Sequence, residues 1–184
     1  MGYQELFDLT GQVAVVTGSS KGIGKVIART LAEAGARVVV SSRRLASCQP
    51  VADAIIAAGG DAVATPCHMS HLDQVRGLVD TTLERWGRID VLVCNAAVNP
   101  HFGPMAEVTE AAYDKVMDTN VKHNLWLCNM VLPQMASRND GSVIIVSSIG
   151  GLKGHDKLGI YAISKAADFQ LARNLAVEWG RSNI

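Results

Sequence analysis

The sequence has no excess of either charge, no long apolar run, no closely paired cysteines and no regularly spaced histidines, and each gap excludes a class of function. Seventeen Lys and Arg balance seventeen Asp and Glu, so no net field draws nucleic acid or an anionic membrane to the chain. Any anion site must be local. The apolar residues fall in short runs, at Val13 to Val16, Val38 to Val40 and Val143 to Val146, far below the roughly 20 residues that cross a bilayer. No membrane-spanning helix is expected. The first residues, Met1 to Leu6, carry Glu5 where an export signal carries basic residues, and position six lacks the hydroxyl of a myristoylation signal. A cytoplasmic location follows as the expectation. Cys48, Cys67, Cys94 and Cys128 form no Cys-x-x-Cys pair, which favours buried thiols in a reducing compartment over a disulfide framework. The five histidines offer no His-x-x-x-His spacing, and no metal is implied.

What is present is apolar and periodic. At 184 residues, with 48% hydrophobic content and a mean hydropathy of +0.18, the chain is read as one globular domain over 1–184. Short β-branched runs alternate with segments of helical period. Val13 to Thr17, Val38 to Ser42, Asp61 to Pro66, Val91 to Cys94 and Val143 to Ser147 read as strands, and runs of Val and Ile this continuous suit strands covered on both faces. Ile23 to Ala34, Leu45 to Ala58, His71 to Trp86, Thr109 to Ala136 and Gly159 to Trp179 read as helices, with Gly35 and Gly87 placed to close the first and third. Repeated strand-helix-strand units require right-handed crossovers, giving an α/β fold with a Rossmann-like, doubly wound parallel sheet and helices on both faces. The six-strand order of that architecture wants a strand beyond Ile184, without which the strand at Val143 to Val146 is a bare edge. More polypeptide is therefore expected.

Directly after the first strand comes Thr17-Gly18-Ser19-Ser20-Lys21-Gly22-Ile23-Gly24, from which a helix opens. Glycines let the backbone approach a pyrophosphate, and a helix N-terminus offers it unpaired N–H groups. The spacing is Gly-x-x-x-Gly-x-Gly, and a purely structural glycine turn is the competing reading of that motif alone. The second strand ends at Ser41-Ser42-Arg43-Arg44, with no carboxylate to hold a free ribose 2′-hydroxyl. A guanidinium there suits a 2′-phosphate. Lys21 can approach that phosphate from the turn, so NADP(H) is the expected cofactor, with Arg44 read either as a contact or as a solvated charge.

Tyr161 and Lys165 stand four residues apart, on one helix face. A free phenol titrates at about pH 10, and a neighbouring cation that stabilises the phenolate brings it within reach of acid–base work near neutrality. A lone Tyr-x-x-x-Lys is more often an ordinary surface pair. With the glycine turn, Asn120, Ser148 and Tyr161 to Lys165 in this order, however, the chain resembles the short-chain dehydrogenase/reductases over its whole length. Val39 to Arg43 and Asn95 to Pro100 look most like the NADPH-dependent carbonyl reductases of that family.

The resemblance implies a role for each matched position. Tyr161 would be the acid that protonates a carbonyl oxygen, or the base in the reverse direction. Lys165 would lower its pKa and hold the nicotinamide ribose, Ser148 would hold the substrate oxygen, and Asn120 would anchor a water behind Lys165. Read without the family, Asn120 is a helix-bend or surface residue. Gly18, Ser20, Lys21, Gly22, Ile23, Gly24, Ser42, Arg43, His68, Met69, Asn95 and Ala96 would contact the cofactor together with Tyr161 and Lys165. The chain departs from the family pattern at Cys94 and Ala97, which flank Asn95 and Ala96, and at His68, where a carboxylate usually accepts from the adenine amine; a neutral imidazole could accept that bond, or His68 is a plain loop residue. The implied function is reduction of a ketone or aldehyde, or the reverse, on a small-molecule substrate, with 3-oxoacyl thioester reduction as a narrower form. A non-catalytic NADP(H) sensor or assembly subunit is the alternative, because the family's last strands and substrate lid have no counterpart before Ile184. Trp126 and Phe169 lie on helices that pair subunits in the family, which implies a dimer or tetramer, although both rings could instead fill the core.

Overall fold

The computed structural model describes residues 6–184; the residues read above for export and anchoring signals lie outside these, except Leu6. Five parallel strands, β1 (Val13–Thr17), β2 (Arg37–Ser42), β3 (Asp61–Pro66), β4 (Val91–Cys94) and β5 (Ser142–Ile145), pair in the order β3-β2-β1-β4-β5. The order reverses beside β1, so the chain turns outward in opposite directions from β1 and β4 and opens a crevice at the C-terminal strand ends.

The strand residues alternate between two cores. On one face, Val16, Val38, Val40 and Val93 pack under α1 (Gly22–Glu33) and α2 (Leu45–Ala57) through Ala28, Cys48 and Ile55. On the other, Val15, Val39 and Leu92 pack under α3 (Leu72–Trp86), α5 (His123–Ala136) and α6 (Gly159–Trp179) through Leu78, Leu127, Leu132 and Leu175. Burial on both faces is why β1 is five apolar or β-branched residues in a row rather than an alternating strand. β5 is the sheet edge; Val143 and Ile145 join the second core, while Ile144 is 48% exposed on the opposite face.

At the end remote from the crevice, Asp90 is buried and accepts from the Val13 N–H and from the guanidinium groups of Arg88 and Arg138. This carboxylate ties the start of β1 to the loop before β4.

The segment expected to be one helix from Thr109 to Ala136 is three pieces: α4 (Glu110–Met117), a π-helical turn (Asp118–Lys122) and α5. In the turn the His123 N–H reaches back five residues to the Asp118 carbonyl. The wider turn sends Thr119 and Asn120 into the interior, where the Thr119 hydroxyl meets that of Ser70 and the Asn120 amide bridges the main chain of Val98. Side chains that bond outside their own helix loosen its ladder, and π-turns recur where they do so.

Candidate active site

The glycine turn is braced from β4. The Thr17 hydroxyl accepts from the main-chain N–H of Asn95 and of Ala96, and the Asn95 side-chain amide donates to the carbonyls of Thr17 (2.8 Å) and Gly18 (3.2 Å). Asn95 thus holds the turn through its own amide. Gly18 sits at φ +67°, and a Cβ at Gly24 would lie 2.5 Å from the Asn95 amide and 2.6 Å from the Gly18 carbonyl. The turn therefore folds back on itself only with glycine at both positions. Gly22, at φ +56°, would present a Cβ to open space. Behind it the first turn of α1 has neither a capping side chain nor an acid, leaving its N–H groups for an anion.

A cleft of about 700 Å³ lies over this turn, and Gly18, Ser20, Lys21, Gly22, Ile23, Gly24, Ser42, Arg43, His68, Met69, Asn95 and Ala96 all line it. So do Arg44 and Ala97. Lys115, from α4, also lines the cleft, a position that only the tertiary fold gives it. Among the described residues none of Lys21, Arg43, Arg44 and Lys115 has an acidic partner. In a chain with zero net charge, four unpaired cations around one cleft make a local anion site. Burial, then the neighbouring charges of His71, Arg43 and Lys115, hold His68 below the usual imidazole range, so it is neutral near pH 7. Its Nδ1 already accepts from the Ser70 N–H, which leaves Nε2 as a donor. The expected acceptance of an adenine amine by His68 is not available in this arrangement. The residues fit NADP(H): a glycine cradle and an uncapped helix for the pyrophosphate, with Arg43 and its neighbouring cations for a ribose 2′-phosphate. Among the described residues, no group of His, Cys, Asp and Glu could hold a metal ion.

Ser148, Tyr161 and Lys165 lie beyond that lining, on the same C-terminal side of the sheet. The strand expected to run to Ser147 ends at Ile145, and Ser148 instead heads a short 3₁₀ turn (Ile149–Gly151), its Oγ accepting from the Gly150 N–H. Two contacts press this turn against α6. The Ser147 hydroxyl donates to the Lys165 carbonyl at 2.7 Å, and a Cβ on Gly151 would lie 2.7 Å from the Lys165 carbonyl carbon. Ser147 is thereby occupied, which leaves Ser148 for a substrate. A Cβ on Gly150 would meet both the Ser148 hydroxyl and the Ala162 methyl, which puts the turn headed by Ser148 against the first turn of α6, the turn that carries Tyr161.

The Lys165 ammonium is buried, 5.8 Å from the centre of the Tyr161 ring. It makes no hydrogen bond to the Tyr161 hydroxyl; it donates to the Val146 carbonyl and to Asp168 Oδ2, each at 2.8 Å. Burial pushes the Asp168 carboxyl above the ordinary carboxylate range, against the opposing pull of Lys165. Asn120 is fully buried; its amide donates to the Ser164 hydroxyl and the Val98 carbonyl, and its main-chain carbonyl accepts from Asn124. That carbonyl is joined to Lys165 by three hydrogen bonds in series, through Asn124 and Asp168. The only sequence trace of the pair is the Lys-x-x-Asp spacing, which puts both groups on one face of α6.

The sequence model of the family described as "short chain dehydrogenase" matches residues 12–184. The chain belongs to the short-chain dehydrogenase family. The rabbit (Oryctolagus cuniculus) protein "Dehydrogenase/reductase SDR family member 4" is 44% identical over 176 residues, 96% of this chain and 68% of that protein. This is the subgroup to which Val39 to Arg43 and Asn95 to Pro100 pointed. Two solved structures share the fold closely. A metagenomic short-chain oxidoreductase in complex with NADP superposes with a TM-score of 0.91 at 37% identity, covering 95% of this chain and 79% of that one. A 3-oxoacyl (acyl-carrier-protein) reductase from Agrobacterium tumefaciens with NADP bound gives 0.94 at 30% identity, covering 100% and 70%. The chain spans 62% to 68% of the length of the member-4 and member-2 relatives that it matches. Among the described residues no helix is long and apolar enough to cross a membrane.

Proposed function

We propose that this chain is an NADP(H)-dependent oxidoreductase that reduces a ketone or aldehyde carbonyl to an alcohol, or runs the reverse reaction. The observation that supports the reading is the buried Lys165 ammonium 5.8 Å from the Tyr161 ring, at the same end of the sheet as a cleft lined by four cations without acidic partners among the described residues. When bound, NADPH supplies the hydride. The chain supplies the rest. Ser148 donates to the substrate oxygen and fixes its position, Tyr161 gives that oxygen a proton in reduction and removes one in oxidation, and the Lys165 ammonium sets a positive charge beside the phenol. Asn120 holds the Val98 loop against α6 and keeps the floor of the site rigid.

The segment beyond β4 supports an apolar substrate face. Gly103 N–H bonds the Lys157 carbonyl, and the Met105 side chain lies over Gly159, at the start of α6, where a Cβ would collide with it. Phe102 and Met105 on this segment, and Ile149 and Leu152 on the turn after Ser148, are all at least half exposed, which suits a carbonyl flanked by hydrocarbon. Reduction of a 3-oxoacyl thioester, named for one structural neighbour, is a narrower form of the same reaction. The test is NADPH oxidation against a panel of ketones, aldehydes and 3-oxoacyl thioesters, with Tyr161→Phe alongside. The variant should keep its NADPH affinity and lose about 10²- to 10⁴-fold in kcat; full turnover by it refutes the role of Tyr161. Tight NADPH binding with no turnover of any carbonyl by the parent would favour a sensor.

Exposed Tyr113, Leu125 and Trp126 on α4 and α5, and Ile163 and Val177 on α6, support association into a dimer or tetramer through these helices, checked by light scattering; Phe169, by contrast, is only half-exposed. The four free, buried cysteines support the cytoplasmic reading, which cell fractionation tests.

A further inference from the structure

Asp168 has no part in the roles given to Ser148, Tyr161 and Lys165, yet it is the most fully buried carboxylate among the described residues, at 1% exposed. A buried ion pair is commonly no better for stability than apolar residues of the same volume, so stability alone does not account for keeping one. Its contacts all lead to the site. Oδ2 accepts from Lys165 Nζ at 2.8 Å, and Oδ1 is 3.4 Å from the Asn124 amide nitrogen, which also donates to the Asn120 carbonyl at 2.7 Å. An ammonium has three N–H groups. With one on the Val146 carbonyl and one on Asp168, a single N–H remains for the side of Tyr161 and the cofactor.

Few other groups contribute charge here. Tyr161 and Lys165 share the helix; β4 presents Cys94, α5 presents Cys128 and the Asn124 amide, and the end of β5 presents the Val146 carbonyl. A side-chain hydrogen bond with the free Cys128 thiol, then burial, holds the Cys94 thiol protonated. The local balance is therefore one cation against one anion.

We propose that Asp168 is a positioning residue: it aims the Lys165 ammonium, and its negative charge sets how strongly that ammonium favours the Tyr161 phenolate. The proposal rests on the reductase reading above. Without Asp168 the cation acts undiminished on the phenol, and Tyr161 titrates at lower pH.

Asp168→Asn keeps the shape and an acceptor for Lys165 and removes only the charge; Asp168→Ala removes both. The readouts are NADPH affinity, kcat/KM for carbonyl reduction against pH, and the ultraviolet titration of the Tyr161 phenolate with Tyr161→Phe as blank. For Asp168→Asn we expect NADPH affinity within about threefold of the parent, kcat about tenfold lower, and both the alkaline limb and the phenolate titration displaced to lower pH by about one unit. Asp168→Ala, if folded by circular dichroism, should lose more kcat. An unmoved titration in Asp168→Asn, or one displaced to higher pH, overturns the proposal even if kcat falls, since a merely structural residue would do the same. A parent protein that reduces no carbonyl overturns the reductase reading instead, and the phenolate titration then still decides the coupling between Asp168 and Tyr161.

Discussion

Reversing one charge at the rim of the cleft should change which dinucleotide the chain uses. Arg43 directly follows β2, has no acidic partner among the described residues, and lines the cleft together with Lys21, Arg44 and Lys115. A charge-assisted hydrogen bond from such a group to a phosphate is worth about 1.5–3 kcal/mol. Arg43→Asp removes it and sets a carboxylate against the phosphate, so NADPH should lose at least about 10- to 100-fold in kcat/KM. The same carboxylate can accept from the free 2′-hydroxyl of NADH, for a gain of about 1 kcal/mol, or roughly fivefold. The NADPH-to-NADH ratio should thus fall by about 10²-fold or more. Three cations remain, so NADPH binding should weaken rather than vanish, and added salt should weaken the parent more than the variant because exposed charges are screened. Steady-state kinetics with both cofactors at two ionic strengths measures all of this. A ratio within threefold of the parent would refute the assignment of these cations to a 2′-phosphate.

Two further outcomes are expected away from the chemistry. Asp90→Ala leaves the Val13 N–H and the guanidinium groups of Arg88 and Arg138 without their carboxylate; with both arginines able to reach water, the cost should be about 3 kcal/mol, lowering Tm by roughly 6–12 °C in a thermal melt while NADPH affinity stays unchanged. Burial, and to a lesser extent Asp73, pushes the Cys67 thiol up to about 12, so at pH 8 it is protonated as well as 2% exposed and should resist iodoacetamide although it lines the cleft. Thiolate content, and with it alkylation, should rise only as the pH nears that value. Rapid labelling of the native chain at pH 8, located by peptide mapping, would contradict this account of its surroundings.

The strands were legible because short Val and Ile runs such as Val38 to Val40 suit strands covered on both faces. The glycine turn was legible because a strand, closely spaced glycines and a helix start in that order form a local pattern, and eight successive residues specify it. What sequence obscured is where distant segments meet. Lys115 reads as one more surface lysine on an amphipathic helix until α4 is placed across from Arg43. Asn95 reads as a cofactor contact, but its amide is used on Thr17 and Gly18. His68 could be either donor or acceptor until Ser70 takes its Nδ1. Asp168 shares a face with Lys165 by spacing alone, but nothing local says that the face is buried.

The π-turn at Asp118–Lys122 is an inserted residue in all but name, since it adds a step to the coil without lengthening the element that contains it. Each helical residue turns the chain by about 100°, so removing any one of these five would let α4 and α5 fuse into a regular helix and swing everything before it round by that angle. Val116 would leave the interior, Lys115 would leave the cleft, and Asn120 would lose Val98 and Ser164. A single deletion here would uncouple the adenosine end of the cleft from the end that carries Tyr161, while a replacement by an amino acid of similar size would leave the two in step.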